Sequence, residues 1–195
     1  MCKTSFVSSI RLFILGSLNE SGPMHGHGLR LLAEQEHVDE WADVTPSSIY
    51  GAIKRLAKED LIETLRLEKH GNYPERQVYG ITAAGLKSLK VIRSSALETI
   101  VHRPDPFDLA MARLGEENLD GLKTLLETRL AELHVRVGAE QTKAHRIGHY
   151  RTVTERAISR HDLHRLRGEI SWHEELLGQL PEIVADEQSR KRSSK

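Results

Sequence analysis

The stretch TPSSIYGAIKRLAKEDLIE, from Thr45 to Glu63, carries the clearest structural signal in this 195-residue sequence. Thr45 is a residue type that caps helix N-termini, and Pro46 suits the first helical position, where its missing N–H costs nothing. The stretch therefore predicts a helix that starts there. At about 100° per residue, its apolar residues fall on one side: Ile49, Ala52, Ile53 and Leu56. The opposite side is small or basic and holds Ser47, Gly51, Lys54 and Lys58, flanked by Tyr50 and Arg55.

Other predicted elements surround this helix in an informative order. Apolar residues at helical spacing predict one helix over residues 10–18, and a second is expected to begin near residues 24–25. The string VDEWADV, residues 38–44, is polar and irregular, which favours a connector. After Asp60 the residues alternate with a period of two, and QVYGIT returns as a second extended segment, so we predict a β-hairpin. The order helix, helix, capped helix, hairpin is typical of a winged helix-turn-helix module, whose third helix enters the major groove of DNA.

The formal net charge is zero, but charge is distributed unevenly along the chain. The segment from residue 20 to 43 sums to −5, whereas the segment from residue 44 to 93 sums to +4, with histidines counted as neutral. Local charge governs contact with a polyanion, so the second segment suits nucleic-acid binding. Three acids follow its basic helix, and we expect them on the side away from phosphate: Glu59, Asp60 and Glu63.

The second half of the sequence is helical and separate from the first. The prolines of HRPDPF, residues 102–107, end the helix that Thr82 is predicted to cap and place a domain boundary near Pro104. Beyond it, apolar spacing predicts two long antiparallel helices with a weak point near Gly148, and their limited apolar surface favours pairing with a second copy. The predicted fold class is mainly α with a small β-hairpin wing. The predicted domains are a winged-helix domain over 1–103, a helical dimerisation domain over 104–182 and a disordered basic tail over 183–195.

Three motifs occur in a fixed order: ILGSLNESGPMHGHGL at 14–29, TPSSIYGAIKRLAKEDLIE at 45–63 and VYGITAAGLKSL at 78–89. Together they resemble the PadR family of bacterial transcriptional regulators, over roughly residues 10–89. The proline-marked junction and the long helices after it are also similar to the larger PadR proteins, whose C-terminal helices form the dimer. The resemblance implies a homodimeric repressor that binds an inverted-repeat operator. It also implies release by an effector, often a small aromatic molecule or a stress signal.

Candidate DNA-binding residues lie in three of the predicted elements. Those of the capped helix offer small size, hydrogen-bond donors or positive charge: Ser47, Ser48, Tyr50, Gly51, Lys54, Arg55 and Lys58. Those of the hairpin cluster about its tip: Arg66, Lys69, Asn72, Tyr73 and Arg76. The resemblance implies that Tyr50, Lys54 and Arg55 occupy the family's recognition-helix positions. It also places His25 and Gly26 at the start of the second helix, where backbone N–H groups can hold a phosphate. The alternative is that Tyr50 packs beside the wing and that the basic residues form an ordinary solvated face.

No catalytic or membrane signature accompanies these motifs. The sequence lacks a nucleophile elbow, a phosphate-binding glycine loop and a dinucleotide fingerprint, so we predict neither an enzyme nor a cofactor. A single cysteine, Cys2, and the lack of a long apolar run predict a cytoplasmic protein that does not enter a membrane. Two histidine pairs have helical ligand spacing, His145 with His149 and His161 with His164. No third ligand stands at a suitable spacing, which favours polar surface or dimer-seam histidines over zinc.

Two other interpretations stay open. A winged-helix module that senses a ligand or binds a protein, without sequence-specific DNA binding, would account for the acidic segment 20–43 and the unusual returning strand RQVYGIT. A metal-responsive regulator would use the paired histidines. Trp172 is the one candidate for contact with an effector, and packing in a core or an interface is the alternative role for that side chain.

Overall fold

The computed structural model describes residues 8–69, 75–101 and 104–192. The chain divides into two compact units, Met1–His102 and Arg103–Lys195. The described elements of the first unit are α1 Ser9–Glu20, β1 Met24–His25, α2 Gly26–Gln35, α3 Val38–Trp41, α4 Ile49–Lys58, β2 Ile62–Glu68, β3 Arg76–Ile81 and α5 Ala83–Glu98. This order confirms the predicted winged helix, in which α4 is the third main helix and β2 and β3 form the wing.

The wing belongs to a small antiparallel sheet with the strand order β1-β3-β2. Strands β2 and β3 form the predicted hairpin, and the predicted turn at residues 71–72 lies outside the described residues. Strand β1, which the sequence did not predict, pairs with β3 and places His25 opposite Val78. Because β1 runs directly into α2, this pairing fixes the start of α2 beside the wing.

One continuous apolar core fills the first unit. The apolar side of α4 is buried as predicted, with exposed fractions of 3% or less for Ile49, Ala52, Ile53 and Leu56. The other buried residues come from α1, α2, α5, β2 and the segment between α2 and α4: Ile14, Leu15, Leu18, Leu29, Ala33, Val38, Val44, Ile62 and Leu89. Val38 and Val44 stand at the two ends of the predicted connector. That prediction is wrong in part, because the stretch contains the short helix α3 and its terminal valines reach the core.

Helix α4 begins with one 3-10 turn, Pro46–Ser48, in which proline occupies the first position as predicted. The Thr45 carbonyl accepts hydrogen bonds from the Ser48 N–H at 3.0 Å and from the Ser48 hydroxyl at 2.7 Å. Thr45 stands at the predicted N-cap position, but its side chain makes no capping bond to the helix backbone. Its hydroxyl lies 3.1 Å from the Ser47 hydroxyl instead.

The other end of α4 is tied to the base of the wing and to α5. Asp60 adopts the left-handed conformation, with φ of 56°, and the Leu61 N–H donates to the Leu56 carbonyl at 3.0 Å, which ends the helix. Thr82 caps α5 as predicted. Its hydroxyl accepts from the Gly85 N–H at 3.0 Å and donates to the Asp60 carbonyl at 2.7 Å. A Cβ at Gly85 would lie 2.0 Å from the Leu61 carbonyl oxygen, so α5 can start this close to the wing only at glycine.

The second unit is built from two long antiparallel helices. The short helix α6 spans Pro106–Met111, α7 spans Glu116–Ile147 and α8 spans Val153–Arg192. A 3-10 turn, Gly148–Tyr150, joins α7 to α8 and confirms the predicted weak point. The core is a narrow stripe between the two helices, formed by Leu122, Leu126, Leu176 and Leu180, with Phe107 and Met111 of α6 packed against it.

Helix α8 extends beyond the predicted end of the second domain. The sequence predicts a disordered tail from residue 183, but α8 stays helical to Arg192. Ile183 and Val184 pack against the apolar stripe, because the apolar spacing of the helix continues past Pro181. The disordered tail is therefore corrected for residues 183–192, and residues 193–195 lie outside the described part of the chain.

Candidate nucleic-acid interface

The outward face of α4 combines small and basic residues. Lys54, Arg55 and Lys58 are exposed, and so are Ser47 and Gly51. A Cβ at Gly51 would lie 3.5 Å from Arg55 Nη1, so the guanidinium group lies back over the glycine. This arrangement lets the helix backbone and a bidentate donor approach the same groove.

Two other predicted residues of this helix have additional structural roles. Ser48 is half-buried, and its hydroxyl donates to the Thr45 carbonyl, so its donor supports the start of the helix. The Tyr50 side chain is 46% exposed and lies over the first residue of α2. A Cβ at Gly26 would lie 3.1 Å from Tyr50 Cε1 and 3.1 Å from Ile53 Cδ1. Glycine at this position therefore allows α2 and α4 to pack closely, and it leaves the tyrosine ring at the junction of the two helices.

The start of α2 is capped by a histidine side chain. His25 Nδ1 accepts a hydrogen bond from the Gly28 N–H at 2.7 Å. An accepting Nδ1 carries no proton, so in the neutral ring the proton is on Nε2, which remains a donor. The half-buried His27 ring lies beside it, with 5.9 Å between the ring centroids. The predicted pair His25 and Gly26 is thus placed next to Tyr50, at the positive end of the α2 dipole.

The wing presents less free positive charge than the sequence suggested. The Arg66 guanidinium donates from Nε to Glu68 Oε1 at 2.7 Å, which offsets its charge. Residues two apart in a strand share a face, so this pairing was readable from the sequence. Lys69 is exposed, and Arg76 stands opposite Glu68 in the register. The predicted contacts Asn72 and Tyr73 lie outside the described residues.

The acid at the end of α4 is engaged by another helix. The Glu59 carboxylate forms an ion pair with the Arg11 guanidinium of α1, with 3.1 Å between Arg11 Nη1 and Glu59 Oε1. That hydrogen bond is the main reason that the pKa of Glu59 lies below its usual value. Desolvation opposes it, and the smaller effects of the Arg11 and Arg55 charges act with the hydrogen bond. Sequence reasoning missed Arg11 because the partners are 48 residues apart. Asp60 and Glu63 are exposed.

Trp172 lies in a cluster of aromatic and charged groups in the second unit. It is 39% exposed and meets the rings of Phe107 and His173 edge-on, at centroid distances of 5.5 Å and 4.9 Å. His173 is fully buried and sits between the Glu169 carbonyl, 2.8 Å from Nδ1, and Arg129, whose Nε donates to Nε2 at 3.1 Å. The Arg129 guanidinium also lies 4.2 Å from the centre of the Phe107 ring. Much of the Trp172 ring is therefore used in packing.

The predicted histidine pairs are not joined by further ligands. Across residues 8–69, 75–101 and 104–192, no group of three or more His, Cys, Asp or Glu side chains is arranged to hold a metal ion. His145, His149, His161 and His164 are all exposed. Over the same described ranges, no helix is both long and apolar enough to cross a membrane.

Comparison with known proteins connects this geometry to a family. Residues 14–91 match the Transcriptional regulator PadR-like family. Bacillus subtilis PadR in complex with operator DNA is similar, with a TM-score of 0.67 and 20% identity over 89% of this chain and 99% of that chain. The complex of Bacillus subtilis PadR with p-coumaric acid has a TM-score of 0.66 and 18% identity, over 88% of this chain and 98% of that chain. The PadR-like regulator BC1756 from Bacillus cereus has a TM-score of 0.56 and 16% identity, over 87% of this chain and 94% of that chain. None of the curated proteins matches the sequence.

The family match and the structure agree on the same part of the chain. At 20% identity or less, the solved structures show that the fold is shared. The family match extends from α1 into α5 and includes α2, α4 and the wing, which carry the candidate DNA-binding residues. Residues 14–91 therefore match the PadR-like transcriptional regulator family and share its fold, as the sequence motifs predicted.

Proposed function

We propose that this chain is a DNA-binding transcriptional regulator that places α4 in the major groove of its operator. The observation that carries the proposal is the exposed outward face of α4, where Lys54, Arg55 and Lys58 stand beside Ser47 and Gly51. Such a face can neutralise phosphates and donate to base edges. The similar PadR of Bacillus subtilis was solved with operator DNA, which supports the same use here. On this proposal the chain acts by binding, without catalysis or a cofactor, in the cytoplasm where its DNA target lies.

Contacts from α2 and the wing would complete the interface. His25 Nε2 and the first backbone N–H groups of α2 other than that of Gly28 suit a phosphate, because they lie at the positive end of the helix dipole. Lys69 and Arg76 of the wing, with Asn72 and Tyr73 at its tip, would contact the flanking backbone or the minor groove. Arg66 contributes less in this scheme, since Glu68 offsets its charge.

We further propose that the regulator is a homodimer that recognises an inverted repeat. Exposed apolar side chains run along both long helices of the second unit, with exposed fractions of 51% for Leu125, 67% for Val135 and 47% for Ile158. Covering them with a second copy would remove this apolar area from water. Two α4 helices held about 34 Å apart would then read half-sites one turn of DNA apart.

The proposed mode of action is repression that an effector relieves. A bound regulator excludes other proteins from its operator, and an effector that favours a different spacing of the two α4 helices would release it. Bacillus subtilis PadR was solved with p-coumaric acid, which supports a small aromatic molecule as the class of effector. Trp172 is the candidate contact, through the exposed part of its ring.

A gel-shift titration against the DNA upstream of the protein's own coding region tests the proposal. The double variant Lys54→Ala, Arg55→Ala should weaken binding on the order of 100-fold, because each lost contact is worth about 1–3 kcal/mol. Wild-type binding should also weaken steeply between low and moderate salt, as expected when counterions are released from phosphate.

The matched control removes two exposed lysines from α5, Lys87→Ala with Lys90→Ala, and should leave the affinity within about twofold of the wild type. An equal loss in both double variants would show that only net charge matters, not the face of α4. Absence of binding at low salt would favour the alternative, a ligand-sensing or protein-binding module that has kept the winged helix.

A further inference from the structure

A second concentration of positive charge lies in the second unit of the chain. Residues 143–167, which cover the end of α7, the 3-10 turn and the start of α8, sum to +5 with histidines neutral. The segment that contains α4 and the wing, residues 44–93, sums to +4 over twice the length. The charge around the α7–α8 turn is not used by the proposed function.

The side chains of three of these arginines line one cavity. The space has a volume of about 140 Å³ and is bounded by Arg151, Arg156 and Arg160, by Ser159, and by apolar atoms of Leu163 and its neighbours on α7. We call it the turn cavity. Because a water molecule in the liquid occupies about 30 Å³, the turn cavity has room for a tetrahedral anion or a diphosphate group.

Two of the three guanidinium groups are held in position by neutral oxygen atoms. Arg151 Nη1 donates to the Ser159 hydroxyl, and Arg156 Nη1 donates to the Arg151 carbonyl. Ser159 in turn donates to the Glu155 carbonyl at 3.0 Å, so its hydroxyl positions Arg151. Each guanidinium has five N–H donors, which leaves most of them available to a ligand.

The neighbouring carboxylate of Glu155 is engaged mainly by the backbone. Glu155 Oε2 accepts from the Thr152 N–H at 2.6 Å, and this backbone hydrogen bond is the main reason that the pKa of Glu155 lies below its usual value. Arg151 adds a weaker attraction to the same carboxylate. Over the part of the chain that the structure describes, no carboxylate lies within 4.0 Å of the charged nitrogens of Arg156 or Arg160.

We propose that the turn cavity binds a small phosphate-bearing anion, with a terminal phosphate or a diphosphate as the recognised group. Three arginine side chains around one space exceed what a single carboxylate needs, since it has one charge and two oxygens. A terminal phosphate carries nearly two charges and three acceptor oxygens, and it accepts paired hydrogen bonds from arginine. A phosphodiester of a DNA backbone has only one charge, and a backbone contact calls for cations spread along a surface instead of gathered around one space.

Isothermal titration calorimetry of the full-length chain with pyrophosphate and with inorganic phosphate, at ionic strength fixed with sodium chloride, tests the proposal. We expect one pyrophosphate per chain, bound more tightly than phosphate. The double variant Arg156→Gln, Arg160→Gln should weaken pyrophosphate binding by at least about tenfold. The matched control Arg165→Gln, Arg167→Gln removes the same charge from exposed positions of α8 outside the cavity and should change binding by less than about twofold.

Each other result would overturn the proposal. No measurable binding, or an equal loss in both double variants, would show that the arginines do not form a specific site. Loss of operator binding in the cavity variant, with no pyrophosphate bound by the wild type, would assign the surface to DNA. If the double variant does not fold, Arg160→Gln alone keeps the test decisive, since the bonds of Arg151 and Arg156 stay intact. The site does not depend on the proposed DNA binding, because either can fail without the other.

Discussion

The two units of this chain bury their apolar side chains in different ways. In the first unit, helices, strands and connecting segments all contribute to one core, and residues such as Ile14, Leu15 and Leu29 are fully buried. In the second unit, helices of 32 and 40 residues share only a narrow stripe of buried leucines, while Leu125 and Val135 of α7 face outward. The first unit therefore has an internal core of its own, although it also exposes apolar side chains such as Val91 and Leu97 of α5. The second unit leaves apolar side chains exposed along both of its long helices, and a second copy could cover them. This is the physical basis for proposing a dimer.

Several glycines show a similar difference on a smaller scale. In the first unit, Gly26 and Gly85 are surrounded, and an added Cβ would meet neighbouring atoms at 3.1 Å and 2.0 Å. In the second unit, Gly121, Gly138 and Gly168 lie inside long helices, with nothing within 4 Å of an added Cβ. Close packing in the first unit requires glycine, whereas the open glycines of α7 and α8 only weaken the helices unless another chain packs against them.

The largest expected effect compares two adjacent leucines of α7. Leu126 is fully buried and Leu125 is 51% exposed. Leu126→Ala should lower the free energy of unfolding by about 2–5 kcal/mol, because it leaves a cavity in the thin core of the second unit. Urea denaturation followed by circular dichroism measures the change.

Leu125→Ala is the control, and it separates an isolated unit from a paired one. In an isolated unit, Leu125→Ala should lower the free energy of unfolding by less than about 0.5 kcal/mol. If a second copy covers Leu125, the loss of stability should be larger. The urea midpoint of the wild type should then also rise with protein concentration. A small, concentration-independent effect would contradict the proposed contribution of this face to the dimer.

A second prediction applies one substitution to both units. Gly85→Ala should destabilise the first unit by about 3 kcal/mol, because its Cβ would collide with the Leu61 backbone and push α5 away from the wing. Gly121→Ala should stabilise α7 by up to about 1 kcal/mol, since it adds helix propensity in open space. Thermal unfolding should show a lower unfolding temperature for Gly85→Ala and a higher one for Gly121→Ala. Destabilisation by Gly121→Ala would mean that another chain occupies that space.

A third prediction concerns the two neighbouring histidines of α2. His25→Ala should lower the free energy of unfolding by about 1 kcal/mol, because the Gly28 N–H loses its capping partner. His25→Asn should keep most of the stability, because asparagine can also cap a helix. The control His27→Ala removes a nearby ring that makes no capping bond and should cost less. Chemical denaturation of the three variants ranks them. Equal losses from His25→Ala and His27→Ala would contradict the capping role.

The fold was predictable where its cause is local. The spacing of Ile49 and Leu56, the period of the hairpin and the Thr82 cap all act within a few residues, and each was predicted from the sequence and is present in the structure. Strand β1 was missed because it has two residues and exists only through pairing with β3. The end of α8 was predicted to be disordered because the last residues of the chain are basic and rich in serine, although Ile183 and Val184 continue the apolar spacing of the helix.

The candidate interface was predictable in outline but not in its internal pairing. Amphipathic spacing indicated which face of α4 points outward, and Lys54 and Arg55 are exposed on that face. Periodicity does not show that a hydroxyl such as that of Ser48 is used inside the helix start, or that a ring such as that of His25 caps the backbone. The arginines of the turn cavity were not predicted as a site, because their placement around one space depends on how α7 turns into α8.

The smallest expected effect tests the link between α1 and the end of α4. The pKa of Glu59 is lowered by its hydrogen bond with Arg11, so its contribution to stability should be present above the ordinary pKa of 4.5 and lost as pH falls through the folded-state value. Because both side chains are exposed, the pair should be worth only about 0.2–1 kcal/mol. Denaturation of the wild type and of Arg11→Met between pH 3 and pH 7 should give stability curves that are separated at neutral pH and converge in acid. The control repeats the comparison without the carboxylate. The difference in stability between Glu59→Gln and the double variant Arg11→Met, Glu59→Gln should not vary with pH. Curves that stay equally far apart at pH 3 would show that Arg11 stabilises the unit by packing alone, and that the carboxylate plays no part.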